Sequence, residues 1–344
     1  MSAGGGALQL VSTDDPRWLE FLGGVTAARP YHHPAWTRAL SETYGFEPFV
    51  AALGPAEGPL TAGIPFVPLG GRLRGKRWVA LPFTDALEPL SSNGTSPAEL
   101  ATLVGSAAEA AGVSSIEIRG SLSAPSGHET TRGVEHLLTL SDPDTLFAGF
   151  QSQVRRNIRK AEKSGLTVRV ADDPRDLTHA YFDLHAETRR RLGVPTQPRR
   201  LFEAIWRHMV DPGLASVLLA YHEGQPVAGA VFLEWKGRVV YKFGASAQRS
   251  WPLRPNNLIF WDAIRRACEG GARELDFGRT DLADDGLRSF KSSWGAVEHP
   301  LVYTTLGRPQ SSGQTTDRLL RPVLRRAPIW FGRRLGALLY RFAA

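Results

Sequence analysis

The sequence predicts an α/β protein, with α+β character, built from two domains. Three observations carry this. At 344 residues the chain exceeds one average domain. Short β-branched or aromatic runs alternate with helical stretches along most of its length. In the second half, strand-like runs at 217–221, 226–234 and 238–244 are separated by Glu223-Gly224 and Lys236-Gly237, the signature of hairpin turns. The expected divisions are a first domain over 1–142, a second over 143–308, and a basic C-terminal tail over 309–344.

In the first domain a strand is expected at 8–11 and a helix from Pro16. A second helix runs to Tyr44, with Pro34 in its first turn. Strands follow at 49–52, 60–67 and 77–80, the last leading into Leu81-Pro82-Phe83-Thr84-Asp85. A helix at 97–111 stops at Gly112 and precedes a strand at 115–118, whereas 124–131 reads as loop. In the second domain a basic helix at 151–164 is closed by Gly165, and a strand at 167–170 comes next. Helices at 174–190 and 198–209 precede the three-strand meander. A helix at 256–270 and a strand at 274–277 end the pattern. This order resembles the GNAT (acyl-CoA N-acyltransferase) fold, and the first half has a comparable order, so the chain reads as two tandem GNAT-like domains.

Hydrophobic content of 42% and charged content of 22% suit a packed core in each half. One cysteine, Cys268, excludes an internal disulfide framework and a cysteine-based metal site. The histidines His32 and His33 are adjacent and lack a spaced partner, so no metal is expected. No signal peptide and no membrane-spanning run is read, which makes the cytoplasm the expected address. The net charge of +7 comes from the tail: residues 318–344 hold seven arginines and no acid. Interleaved with Leu, Ile, Trp, Phe and Tyr, they suit either a terminal helix packed on its own domain or peripheral contact with an anionic membrane at its inner face.

Two segments carry candidate chemistry. In the helix at 151–164, Arg155, Arg159 and Lys163 recur at i,i+4 spacing, with Arg156 and Lys160 in the adjoining row. Like charges so spaced repel, which points to a polyanion such as tRNA phosphate. The second segment, 276–295, joins a strand end, a polar loop and Phe290-Lys291-Ser-Ser-Trp294-Gly295. Its acids Asp281, Asp284 and Asp285 lack a catalytic partner and read as loop-shaping. Lys291 becomes the central residue, and Arg279 its companion. Tyr241 sits on the last meander strand, facing either core or cleft. Where a CoA-dependent enzyme carries glycines before its long helix, this chain has Gln248 to Asn257 with Pro252 and Pro255, so a CoA pyrophosphate cradle is not expected.

Gln153 to Leu166, Tyr241 to Ser246 and Gly286 to Gly295 together resemble the Fem family of aminoacyl-tRNA-dependent peptidyltransferases, over about residues 30–306. The resemblance implies two GNAT-like domains and transfer of an amino acid from aminoacyl-tRNA to an amine of a peptidoglycan precursor, UDP-MurNAc-pentapeptide or lipid II, forming an interpeptide bridge. It implies that Lys291 stabilises charge near the transferring acyl group and that Tyr241 lines the precursor site. Asp85 matches a Pro-x-x-Asp pattern and would accept the amine's proton. Arg189 and Arg191 fall near a family arginine that grips precursor phosphates. Trp294 replaces the family's usual phenylalanine, and the coiled-coil arm of some members is missing. No cofactor is implied beyond the tRNA co-substrate. Two alternatives remain: an acyl-CoA-dependent N- or O-acyltransferase of exopolysaccharide or cell-envelope synthesis, which would use acetyl-CoA, and a non-catalytic module binding tRNA or anionic lipid.

Overall fold

The computed structural model describes residues 7–71, 75–92, 94–122, 124, 127–308, 321–322 and 324–340. They fall into two compact units. One runs from the N-terminal end to Val134 and takes in the segment from Pro300; the other comprises Glu135–His299 and the C-terminal helix. The contiguous domains expected from the sequence differ from these units, because two strands divide between them.

In unit one, β1 (Ala7–Ser12), β2 (Phe49–Gly54), β3 (Ala62–Gly71) and β4 (Gly75–Val79) form an antiparallel run. Between β1 and β2 lie α1 (Pro16–Gly24), capped by Asp15, and α2 (Pro34–Tyr44), capped by His33. The two-residue strand β5 (Leu90–Ser91) pairs β3. Helix α3 (Pro97–Ala110) returns the chain to β6 (Val113–Ile118), which pairs β4 in parallel. The core holds Trp18, Trp36, Tyr31 and Phe66, all fully buried.

Unit two repeats this plan. Strand β7 (Gly127–Thr139) delivers residues 137–139 to it, followed by α4 (Pro143–Gly149) and α5 (Ser152–Lys163). Strands β8 (Thr167–Val170), β9 (Ala215–His222), β10 (Gln225–Trp235) and β11 (Arg238–Ser246) form the antiparallel run. Between β8 and β9 lie α6 (Phe182–Leu192) and α7 (Arg199–Ile205), extended by π-helical turns at Asp176–Tyr181 and Trp206–Val210. Helix α8 (Pro255–Glu269) crosses over to β12 (Glu274–Asp276), parallel to β11. Helix α9 (Asp285–Ser292) follows, and β13 (Val297–Gly307) pairs its last residues antiparallel to β6 in unit one.

Each unit therefore contains a four-strand antiparallel run and one parallel pair bridged by a helix, flanked by an antiparallel strand from elsewhere in the chain. The tandem reading of the sequence holds. Three local readings change. Residues 127–131 of the expected loop are strand, with Thr130 and Thr131 supplying β-branched side chains. Residues 285–292, read as a polar loop, are helical because the Asp284 side chain accepts from Leu287 N at 3.0 Å and caps the turn. Strand β13 was not anticipated, since its partner Ile118 lies far back in sequence.

The last helix, α10 (Ile329–Leu339), packs on α6. Arg333 pairs with Asp183 at 2.6 Å, and Tyr340 Oη donates to Pro195 O at 3.0 Å. A Cβ at Gly336 would collide with the Thr196 carbonyl, so only glycine permits this approach. The tail thus adopts the packed arrangement along its described inner face, while residues 309–320 and 341–344 lie outside the described part.

Candidate active site

The parallel pair β11 and β12 sets the site. Their ladder pairs only Arg238–Val240 with Glu274–Asp276, and β11 then continues alone on that side to Ser246. The carboxyl ends of parallel strands are the usual place for ligands in such sheets, which makes the exit of β12 the candidate site. A bulge in β11 against β10 lies beside this exit: Val231 faces Phe243 and Phe232 faces Tyr241, so Lys242 is the extra residue.

Two side chains fix the chain where it leaves β12. The buried Asp276 accepts from Gly278 N through Oδ1 at 2.7 Å. Gly278 turns with φ 71°, a left-handed conformation suited to glycine. Its carbonyl then accepts from Lys291 Nζ at 2.6 Å, and the Arg279 carbonyl does so at 3.4 Å. Lys291 is only 2% exposed, so an ammonium sits inside the unit at the strand exit. A buried cation needs oxygen partners, and the turn provides two carbonyls.

Apolar rings enclose this lysine's helix. Phe260 of α8 lies 5.1 Å from Phe277, 5.8 Å from Phe290 and 5.9 Å from Trp294. Trp294 is fully buried in this cluster. The expectation that it contacts substrate is corrected: it is core, because its ring also meets Phe150 at 5.1 Å and has no exposed surface.

Tyr241 packs on the core side: its ring lies against Phe260 at 4.8 Å and Phe232 at 5.7 Å, and the residue is half-buried. Burial pushes its hydroxyl up to about 12. The hydroxyl therefore keeps its proton at neutral pH.

His136 was not singled out from the sequence. It is fully buried on β7, its carbonyl accepting from Phe277 N at 2.9 Å. Its Nε2 lies 3.3 Å from Glu298 Oε2, but neither ring nitrogen has hydrogen-bond geometry to a partner. Burial first, then the Lys291 charge, holds its pKa below the usual histidine value. The imidazole is thus neutral beside the ammonium. A histidine beside a glutamate in the strand Val134-Glu-His-Leu-Leu138 is the signal that marks it.

The remaining candidates divide. Arg279 pairs with Asp281 at 2.6 Å at the surface, its backbone held by Lys291. Asp85 belongs to unit one, where its Oδ2 accepts from Tyr31 Oη at 3.3 Å and its carbonyl from Tyr303 Oη at 2.8 Å. The Arg189 guanidinium is engaged within the unit, donating to Pro195 O at 3.0 Å and to Tyr340 Oη at 2.6 Å, which takes up donors expected to grip a phosphate. Arg191 is placed differently. It stacks over Trp251 at 4.6 Å, just before α8, and its buried Nε makes no hydrogen bond. Burial lowers its pKa from the ordinary arginine value, so an anion there would relieve a desolvated charge.

The basic face of α5 is smaller than its spacing suggested. Val154, Ile158 and Ala161 face the core. Arg155 turns back to the carbonyls of Ala148 and Phe150, the latter at 2.8 Å, closing the end of α4. This removes it from the phosphate row, because orphan helix carbonyls compete for its donors. Arg159 lies over Phe147 at 5.6 Å. Arg156 bonds Gln153 at 2.8 Å and stays exposed, as do Lys160 and Lys163.

In the same unit, His185 is 2% exposed and bonded to Gln197 at 2.7 Å. Burial, and then the Arg189 charge, lowers its pKa to about 3. The unfolded state, with its pKa near the ordinary histidine value of 6.5, binds a proton that the folded state refuses. Stability is therefore full above that value and is lost as pH falls toward the folded pKa. Nitrogen NMR should find His185 neutral from pH 8 down to about 5, while melting temperature declines below pH 6.5. A titration midpoint near the ordinary histidine value would contradict this.

With the geometry in place, comparisons locate the fold. Residues 148–292 match the family described as acetyltransferase (GNAT) domain. The crystal structure of FemX superposes with a TM-score of 0.69 at 17% identity, covering 91% of this chain and 100% of that one. The chain shares the FemX fold. The L-PGS structure from Bacillus licheniformis gives 0.59 at 16% identity, covering 93% and 100%. A tandem GNAT protein from the clavulanic acid biosynthesis pathway gives 0.52 at 12%, covering 88% and 100%. No curated protein sequence matches. The resemblance to the Fem family read from the sequence is matched by this FemX-like fold, and no helix among the described residues is long and apolar enough to cross a membrane.

Proposed function

We propose that this FemX-like protein is an aminoacyltransferase that moves an amino acid from aminoacyl-tRNA to an amine of a peptidoglycan precursor stem peptide. The observation that carries the choice of donor is the N-terminus of α8. Arg254 is its N-cap in a left-handed conformation, Pro255 occupies its first turn, and Pro252 lies in the preceding turn. Proline supplies no N–H, so the backbone donors that cradle a CoA pyrophosphate are depleted where they are needed.

The chemistry needs no covalent enzyme intermediate. The acceptor amine attacks the ester carbonyl, the tetrahedral oxyanion collapses, and the tRNA 3′-oxygen leaves with a proton. Lys291 supplies positive potential at the strand exit where that oxyanion develops. Tyr241 donates a hydrogen bond, and Arg191 meets precursor phosphate. Asp85 is proposed as the proton acceptor. The exposed Arg156, Arg159, Lys160 and Lys163 meet tRNA phosphates.

Charge reversal separates these roles. Lys160→Glu with Lys163→Glu is expected to weaken tRNA binding roughly tenfold at low salt and less at high salt; unchanged affinity at both would remove the tRNA-binding role of α5. Calorimetry should give saturable binding of aminoacyl-tRNA and none of acetyl-CoA. Tight acetyl-CoA binding would instead support the acyl-CoA-dependent alternative.

A further inference from the structure

Helix α10 has an inner and an outer face with different chemistry. Inward, Arg333 pairs with Asp183 and stacks on Phe182 at 4.8 Å, and Gly332 and Gly336 lie against Thr196. Outward, Trp330 and Arg334 stand four residues apart and are both exposed, and Arg326, just before the helix, is exposed too. Trp330 is 59% exposed, a large cost for an indole in water, and the Arg334 guanidinium lies 5.7 Å from its ring. The preceding turn places Arg321 and Arg325 over Gly193, next to Leu192, which is 45% exposed.

We propose that this outer face docks on the surface of an anionic phospholipid bilayer, with Trp330 seated at the headgroup boundary and the arginines on lipid phosphates. Charge complementarity names the occupant. Residues 318–344 contain seven arginines and no acid, and the Asp183 carboxylate nearby is already neutralised by Arg333. Exposed tryptophan and leucine among arginines match an interfacial helix lying in the membrane plane. An RNA partner would use the arginines but leave Leu192 unmatched. The inference stands apart from the transfer reaction, since none of these side chains belongs to the candidate site.

Full-length protein should co-sediment with vesicles of phosphatidylcholine and phosphatidylglycerol but not with phosphatidylcholine alone. Arg326→Glu with Arg334→Glu should weaken this binding at least about tenfold, and Trp330→Ala several-fold. Melting curves and transfer activity in solution should be unchanged, because the substituted side chains are exposed. Absence of wild-type binding to anionic vesicles, or equal binding by all variants, overturns the proposal. So does loss of tRNA affinity in these variants with vesicle binding intact.

Discussion

Replacing Lys291 with methionine is expected to lower amino-acid transfer at least about tenfold, chiefly in kcat. The structure adds a second, smaller consequence. Lys291 donates to the Gly278 and Arg279 carbonyls from a buried position, and methionine cannot. Leaving buried carbonyls without a donor costs about 1–3 kcal/mol. The variant should therefore melt a few degrees lower yet remain folded. Steady-state kinetics with aminoacyl-tRNA would show the loss in kcat, with the tRNA KM close to wild type. Near-normal kcat would leave Lys291 as a structural clamp only.

The largest stability effect is expected at Trp294. Its ring is fully buried between Phe150, Phe260, Phe277 and Phe290. Trp294→Ala should cost about 3–5 kcal/mol by transfer and cavity terms together. Trp294→Phe should be tolerated far better, because the indole Nε1 is buried without a hydrogen-bond partner and its removal loses no bond. Chemical denaturation of the two variants tests this. A core residue predicts that the phenylalanine variant keeps both stability and transfer. A substrate contact would instead predict a stable phenylalanine variant with poor transfer.

The sequence displayed most of the architecture because its signals are local. The hairpin turns Glu223-Gly224 and Lys236-Gly237 do separate β9, β10 and β11, and both central residues of each turn take positive φ. Gly165 ends the basic helix with φ 76°. The segment 276–295 was recognised, and its acids shape the loop: Asp281 holds Arg279, Asp284 caps α9, and Asp285 meets Arg288 at 3.2 Å. What stayed hidden is long-range. The division of β7 and β13 between the units depends on pairings such as Thr304 with Ile118, for which no neighbouring residue speaks. Side-chain direction was equally invisible. Spacing put Arg155 in a phosphate row and the family resemblance put Arg189 near a precursor phosphate, but backbone carbonyls and Tyr340 had prior use for their donors. His136 escaped because a lone histidine in a strand looks like core until Lys291 and Glu298 are placed around it.

The central claim is that the donor at this site is an aminoacyl ester of tRNA and not a CoA thioester. Incubating the protein with a peptidoglycan precursor and either radiolabelled aminoacyl-tRNA or radiolabelled acetyl-CoA tests it directly. Label should pass from the tRNA to the precursor and be lost in Lys291→Met. Transfer of the acetyl group instead, with none from tRNA, would contradict it.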